Sequence, residues 1–176
     1  MNLPNILSCS RILLLCPIIF FYEYGFYLIS TSFFILASFT DFLDGYIARK
    51  KNQTSELGAL LDLFADKIFV AALLIWMTFT LDSLLILAST LLIISRELSV
   101  SYLRLYFVLN SKQFNNVKAD FFGKLKTTIQ MIGLGAILIS PYFPSYIIYA
   151  ALITLFASSI FSWVSLINYF KNWHED

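Results

Sequence analysis

Charge is scarce in this 176-residue chain: 13% of its residues are charged, where a soluble domain carries about a quarter. That scarcity, beside a 59% hydrophobic and 18% aromatic content, exceeds what one soluble core needs and points to the membrane class. No low-complexity linker or internal repeat breaks the chain. There is one histidine, His174, in a polar tail, and no role is assigned to it. Only two cysteines occur. Cys9 and Cys16 lie seven apart in an apolar run, about 10 Å along a helix axis, too far for a disulfide; both read as small core residues. The N-terminus has neither a basic start nor a small-residue cleavage site, so a cleaved signal peptide is not expected.

What is there is apolar length. A spanning helix needs about 20 mostly apolar residues. Six segments qualify, over 6–24, 26–50, 58–80, 83–109, 122–140 and 145–171, which predicts an all-α integral membrane protein with residues 1–176 as one membrane-embedded domain. In that plan Arg11, Arg49, Lys50, Lys51, Lys67, Arg96, Arg104, Lys112, Lys118, Lys124, Lys126 and Lys171 fall at or towards one side. The opposite turns hold Glu23, Asp82 and the stretch 140–144, without Lys or Arg. Basic residues concentrate on the cytoplasmic side of bilayers, so both termini are expected there. Glu23 and Asp82 read as solvated turn residues. Trp76, Trp163 and Trp173 read as bilayer anchors and lipid-facing surface. Pro4 and Asn5 read as the start of a segment lying on the cytoplasmic surface.

Against this background four carboxylates stand out. An aspartate at the centre of a spanning helix costs about 2.5–3.5 kcal/mol on insertion scales, yet Asp41, Asp44, Asp62 and Asp66 sit towards the ends of two consecutive apolar segments. Residues three or four apart share a helix face, so each pair points together. The short connection 50–57 makes the two helices antiparallel neighbours and brings the pairs to one membrane face. Converging carboxylates repel unless cations lie between them. Oxygen-only ligation suits Mg²⁺, Mn²⁺ or Ca²⁺ rather than zinc, and two divalent ions would balance four carboxylates. The alternating oxygen ligands of an EF-hand loop are missing after Asp41.

The complete string is Asp41-Phe42-Leu43-Asp44-Gly45-Tyr46-Ile47-Ala48-Arg49, eight residues, then Gly58-Ala59-Leu60-Leu61-Asp62-Leu63-Phe64-Ala65-Asp66. It resembles the signature of the CDP-alcohol phosphatidyltransferases, D-x2-D-G-x2-A-R followed by G-x3-D-x3-D, at every fixed position. The resemblance implies the six-helix fold of that family, a homodimer, and metal-dependent transfer of a phosphatidyl group from CDP-diacylglycerol. It implies metal ligation by Asp41, Asp44 and Asp62 with Asp66 nearby, and a general-base role for Asp66 towards the acceptor hydroxyl. Gly45, Ala48 and Gly58 are small enough to leave room for the cytidine or for close helix contact. Arg49 offers a planar fork for the diphosphate. The CDP-lipid set is thus Asp44, Gly45, Ala48, Arg49 and Gly58.

The acceptor is read from the rest of the chain. Met1 to Leu7 with Arg11, Leu61-Asp62, Ala65-Asp66-Lys67, Ser95-Arg96-Glu97, Leu103-Arg104 and Gly123-Lys124-Leu125-Lys126-Thr127 with Gln130 and Met131 resemble the bacterial phosphatidylglycerophosphate synthase branch. That branch implies glycerol 3-phosphate as acceptor. An acceptor with its own phosphate needs cations: Arg96 and Arg104 are eight apart on one helix, and Lys124 and Lys126 open the next, where backbone N–H groups also favour anions. The chain departs from the branch at Leu63 in place of Pro, Ser55 in place of Thr and Tyr102 in place of Gly; the last bears on the shape of the acceptor pocket. Phosphatidylglycerol, inositol phosphate or serine as acceptor stays open. A membrane prenyltransferase is disfavoured because both acidic motifs lie within 26 residues. A cation transporter is disfavoured because it leaves Gly45, Ala48 and Arg49 unexplained.

Overall fold

A computed structural model of the chain describes the backbone of residues 3–51, 56–109 and 121–174, and the side chains of residues 10–40, 64–103 and 127–167. The described residues form six α-helices and no strand: α1 (Leu3–Glu23), α2 (Tyr27–Lys51), α3 (Glu56–Leu81), α4 (Leu84–Leu109), α5 (Phe121–Ile139) and α6 (Tyr146–His174), with a 3-10 turn at Ser140–Tyr142. The ends lie within three residues of those expected from hydropathy. α1 runs unbroken from Leu3, so Pro4 and Asn5 belong to its first turn and not to a separate surface segment. Proline is tolerated there because the first N–H groups of a helix have no intrahelical partner.

Among the described residues, Phe64–Leu81, Leu84–Leu103 and Tyr146–Ile167 are long and apolar enough to cross a membrane, and Tyr27–Thr40 and Thr127–Tyr142 are shorter apolar stretches. Every helix also turns large apolar side chains outward: Leu13 on α1, Ile35 on α2, Phe79 on α3, Leu91 on α4, Ile132 on α5 and Ile153 on α6 are all exposed. An apolar exterior around the whole bundle suits hydrocarbon and not water. The chain is an all-α, multi-pass membrane protein.

Neighbouring helices close a ring in the order α1, α2, α5, α6, α4, α3 and back to α1. Its interior is filled by Leu15, Ile18 and Tyr22 from α1, Phe34 and Ala37 from α2, Phe69, Leu73 and Met77 from α3, and Leu134, Ile137 and Leu138 from α5. The rings of Phe34 and Phe69, with centroids 6.1 Å apart, carry α2 directly to α3. Glycine sets the closest approach. A Cβ on Gly133 would lie 2.9 Å from Leu155 Cγ, and one on Gly135 would lie 3.2 Å from the Phe34 ring. Membrane helices associate through such close packing, because lipid is as apolar as the helix faces themselves.

Polar groups inside the bundle are satisfied locally. Thr31, Ser38, Thr78 and Ser89 donate their hydroxyls to carbonyls four residues back, the low-dielectric solution for a hydroxyl on an apolar helix. Ser30 Oγ instead reaches across to the carbonyl of Ile18 at 2.7 Å and joins α2 to α1.

The turns between α1 and α2, α3 and α4, and α5 and α6 share one end of the bundle. α1 stops in a Schellman motif: Gly25 has φ +80°, its N–H bonds the Tyr22 carbonyl, and the Phe26 N–H bonds the Phe21 carbonyl. The Phe21 and Phe26 rings meet edge-on across it, as the motif's hydrophobic contact requires. Tyr27 meets Tyr142 at 5.6 Å. The Trp76 indole N–H donates to Glu23 Oε1 at 2.8 Å, and Thr80 Oγ1 approaches the same oxygen at 3.3 Å. Glu23 is exposed beside the turn, as expected, and with Trp76 it also forms an exposed link between α1 and α3. Trp163 also points inward and donates to the Leu92 carbonyl at 3.0 Å. Cys16 is a free, exposed thiol and not a core residue.

Candidate functional site

The end opposite those turns holds the two acidic motifs. α2 ends at Lys51 and α3 begins at Glu56, so positions can be compared by height above the connection between them. At about 1.5 Å per residue, Asp44 and Asp62 both stand about 10 Å above it, and Asp41 and Asp66 both about 15 Å. Phe34 and Phe69, about 25 Å and 20 Å above it on the same count, meet farther along the same two helices. Among the described residues α2 and α3 each pack on α1 and meet each other across the interior through Phe34 and Phe69, so the expected antiparallel neighbours are separated in the ring by α1; the two acidic motifs lie in the halves of α2 and α3 nearest their connection.

Of the four aspartates, Asp66 is the one whose side chain is described. Those of Asp41, Asp44 and Asp62 lie outside the described residues, as do those of Gly45, Ala48, Arg49 and Gly58; their backbones belong to α2 and α3. The oxygen-only donor set fits a hard divalent cation. Among the described side chains no other group of three or more His, Cys, Asp or Glu offers an alternative site.

Asp66 lies on the core-facing stripe of α3 with Phe69, Leu73 and Met77. Its neighbour across the helix interface is Arg11, which forms an ion pair with Asp66 Oδ1. Arg11 occupies the core-facing stripe of α1 with Leu15, Ile18 and Tyr22, and it is fully buried. The sequence placed Arg11 only among the charges of the inner side. An arginine on the same stripe as Leu15, Ile18 and Tyr22 was the available signal, because a guanidinium at a core position needs a carboxylate or carbonyl near it.

On the other side of α3, Lys67 reaches α4. Its Nζ donates to Ser101 Oγ and lies 3.5 Å from the Glu97 carbonyl oxygen. One turn away Arg96 is buried. Its Nη1 pairs with Glu97 Oε1 at 2.9 Å and its Nε donates to the Ser162 carbonyl of α6 at 3.2 Å. The Nε bond joins α4 to α6, beside the Trp163 bond to Leu92. The sequence reading placed Arg96 in an acceptor-phosphate pocket; in the structure two of its three nitrogens serve internal contacts. Arg104 stands two turns farther towards the charged end of α4, and Lys124 and Lys126 lie in the first two turns of α5; their side chains lie outside the described residues. Tyr102, where the branch has glycine, points away from the bundle and is exposed.

A family model described as CDP-alcohol phosphatidyltransferase matches residues 1–166. The chain is 38% identical to a protein of Wigglesworthia glossinidia brevipalpis, over 97% of this chain and 93% of that one. It is 35% identical to a protein of Haemophilus influenzae, over 97% and 92%, and 31% identical to one of Escherichia coli, over 96% and 92%. All three relatives carry the name CDP-diacylglycerol–glycerol-3-phosphate 3-phosphatidyltransferase.

Proposed function

The chain belongs to the CDP-alcohol phosphatidyltransferase family, and we infer that it transfers the phosphatidyl group of CDP-diacylglycerol to glycerol 3-phosphate, giving phosphatidylglycerophosphate and CMP. The observation that carries this is likeness along nearly the whole chain to enzymes named for that reaction. The family is metal-dependent. We propose Mg²⁺ or Mn²⁺, two ions, at Asp41, Asp44, Asp62 and Asp66; the oxygen-only donors gathered in the connected halves of α2 and α3 support this. Divalent ions there would neutralise charge on the diphosphate oxygens of the bound nucleotide.

The chain's own residues divide the remaining work in this proposal. Gly45, Ala48 and Gly58 leave space for the nucleotide beside the helix backbones, and Arg49 and Asp44 grip the CDP-lipid. Asp66 takes the proton from the acceptor hydroxyl as its oxygen attacks the phosphorus bearing the diacylglycerol. Arg104, Lys124 and Lys126 hold the acceptor phosphate, joined by Arg96 through Nη2. The acceptor binds from the cytoplasmic side of the inner membrane, with both termini on that side, since Lys and Arg crowd the loop end and are missing from the turn end. We propose one domain over residues 1–176 and a homodimeric assembly; the family resemblance supports both.

The test is direct. Purified protein is supplied with CDP-diacylglycerol, Mg²⁺ and a panel of acceptors: glycerol 3-phosphate, phosphatidylglycerol, inositol phosphate and serine. Phosphatidylglycerophosphate and stoichiometric CMP are expected from the first alone. Equal or faster turnover with another acceptor would reassign the substrate, and CMP release from none would reject the transferase reading.

A further inference from the structure

We propose that Arg11 is a positioning residue for Asp66: it clamps one carboxylate oxygen from beneath, so that the open side of the carboxyl faces the acceptor hydroxyl. This rests on the reading of Asp66 as general base.

The geometry separates the two halves of the pair. Arg11 has 1% of its side chain exposed and Asp66 has 44%. The guanidinium is thus inside the bundle, while the carboxylate sits at the rim, with Oδ1 turned inward to Arg11 and part of the group open. Arg11 comes from α1 and Asp66 from α3, and the two helices pack along their length through the shared core of Leu15, Ile18, Phe69 and Leu73. The clamp is therefore mounted on two rigid elements and not on a loop.

Stability alone does not call for this arrangement. Taking a guanidinium out of water costs several kcal/mol, and apolar side chains in place of a whole buried ion pair are commonly neutral or stabilising. Leu15, Ile18 and Tyr22 on the same stripe show what packing there accepts. What Arg11 supplies and leucine cannot is direction. A half-exposed aspartate moves among several rotamers, and a rigid donor fork selects one. A base displaced by about 1 Å loses on the order of 100-fold in rate, so orientation at this position has catalytic weight.

The experiment uses the full-length protein in detergent or nanodiscs, with Arg11→Gln, Arg11→Lys and Asp66→Asn. CMP release gives kcat and KM for each substrate, and CDP-diacylglycerol binding counts the folded sites. Arg11→Gln is expected to lower kcat per binding site by about 100-fold and Arg11→Lys by about tenfold, with both KM values within about twofold of the parent. Parental kcat per site in Arg11→Gln overturns the proposal. So does a loss of binding sites with normal kcat in those that remain, which is what a purely structural role predicts. If Arg11→Gln does not fold, Arg11→Lys decides alone: a lowered kcat supports the clamp and a parental one removes it. Asp66→Asn separates the two levels. Parental turnover in that variant rejects the base reading itself, whereas an inactive Asp66→Asn beside a fully active Arg11→Gln rejects only the clamp.

Discussion

Trp76 and Glu23 stand fifty-three positions apart in the sequence, yet the indole N–H of one reaches the carboxylate of the other at 2.8 Å. That bond, with the edge-on stack of Tyr22 against Trp76 at 5.0 Å, fastens α1 to α3 at the end remote from the acidic motifs. The same helix pair is joined about midway along its length by Arg11 and Asp66, so α1 and α3 are held at two levels.

Trp76→Phe keeps the ring stack and removes the donor. A hydrogen bond of this kind contributes about 1 kcal/mol net. The thermal midpoint of the purified protein is expected to fall by about 2–4 °C, with kcat unchanged because the site lies at the other end. An unchanged midpoint would show that the exposed bond contributes nothing.

Gly133 and Gly135 give opposite expectations for the same substitution. Replacing a helical glycine by alanine gains about 1 kcal/mol in propensity. At Gly135 the new methyl group would press only on the Phe34 ring at 3.2 Å, and Gly135→Ala is expected to be near neutral. At Gly133 it would meet Leu155 Cγ at 2.9 Å and Thr154 Oγ1 at 3.1 Å, where overpacking costs about 1–3 kcal/mol. Gly133→Ala should be the less stable of the two in a detergent melt, and equal midpoints would contradict the tight α5–α6 contact.

Chelation tests the acidic site as a whole. Turnover is expected to vanish in EDTA and to return with Mg²⁺ or Mn²⁺, since four carboxylates gathered at one end of the bundle repel one another without a cation. Undiminished CMP release in chelator would remove the metal from the proposal.

Arg104→Ala probes the acceptor side. Loss of a cation that binds the acceptor phosphate should raise KM for glycerol 3-phosphate by about tenfold, a charge-assisted bond being worth about 1.5–3 kcal/mol, while KM for CDP-diacylglycerol stays within about twofold. Equal changes in both constants would count against a phosphate contact at that position.

The sequence by itself determined the six helices, their ends, the charged and uncharged sides and the acidic signature. Each depends on residues near one another in the chain: apolar length sets a span, and spacing of three or four sets a face. Only the tertiary structure decided the ring order of the helices, the pairing of Arg11 with Asp66, the use of Arg96 to hold α6, and the inward turn of Trp163. These depend on which faces meet after packing, and hydropathy reads alike for a charge that faces water and one buried against a partner many turns away in the chain. A carboxylate at a helix end is legible as chemistry; the cation that orients it is visible only when two apolar stripes have closed on each other.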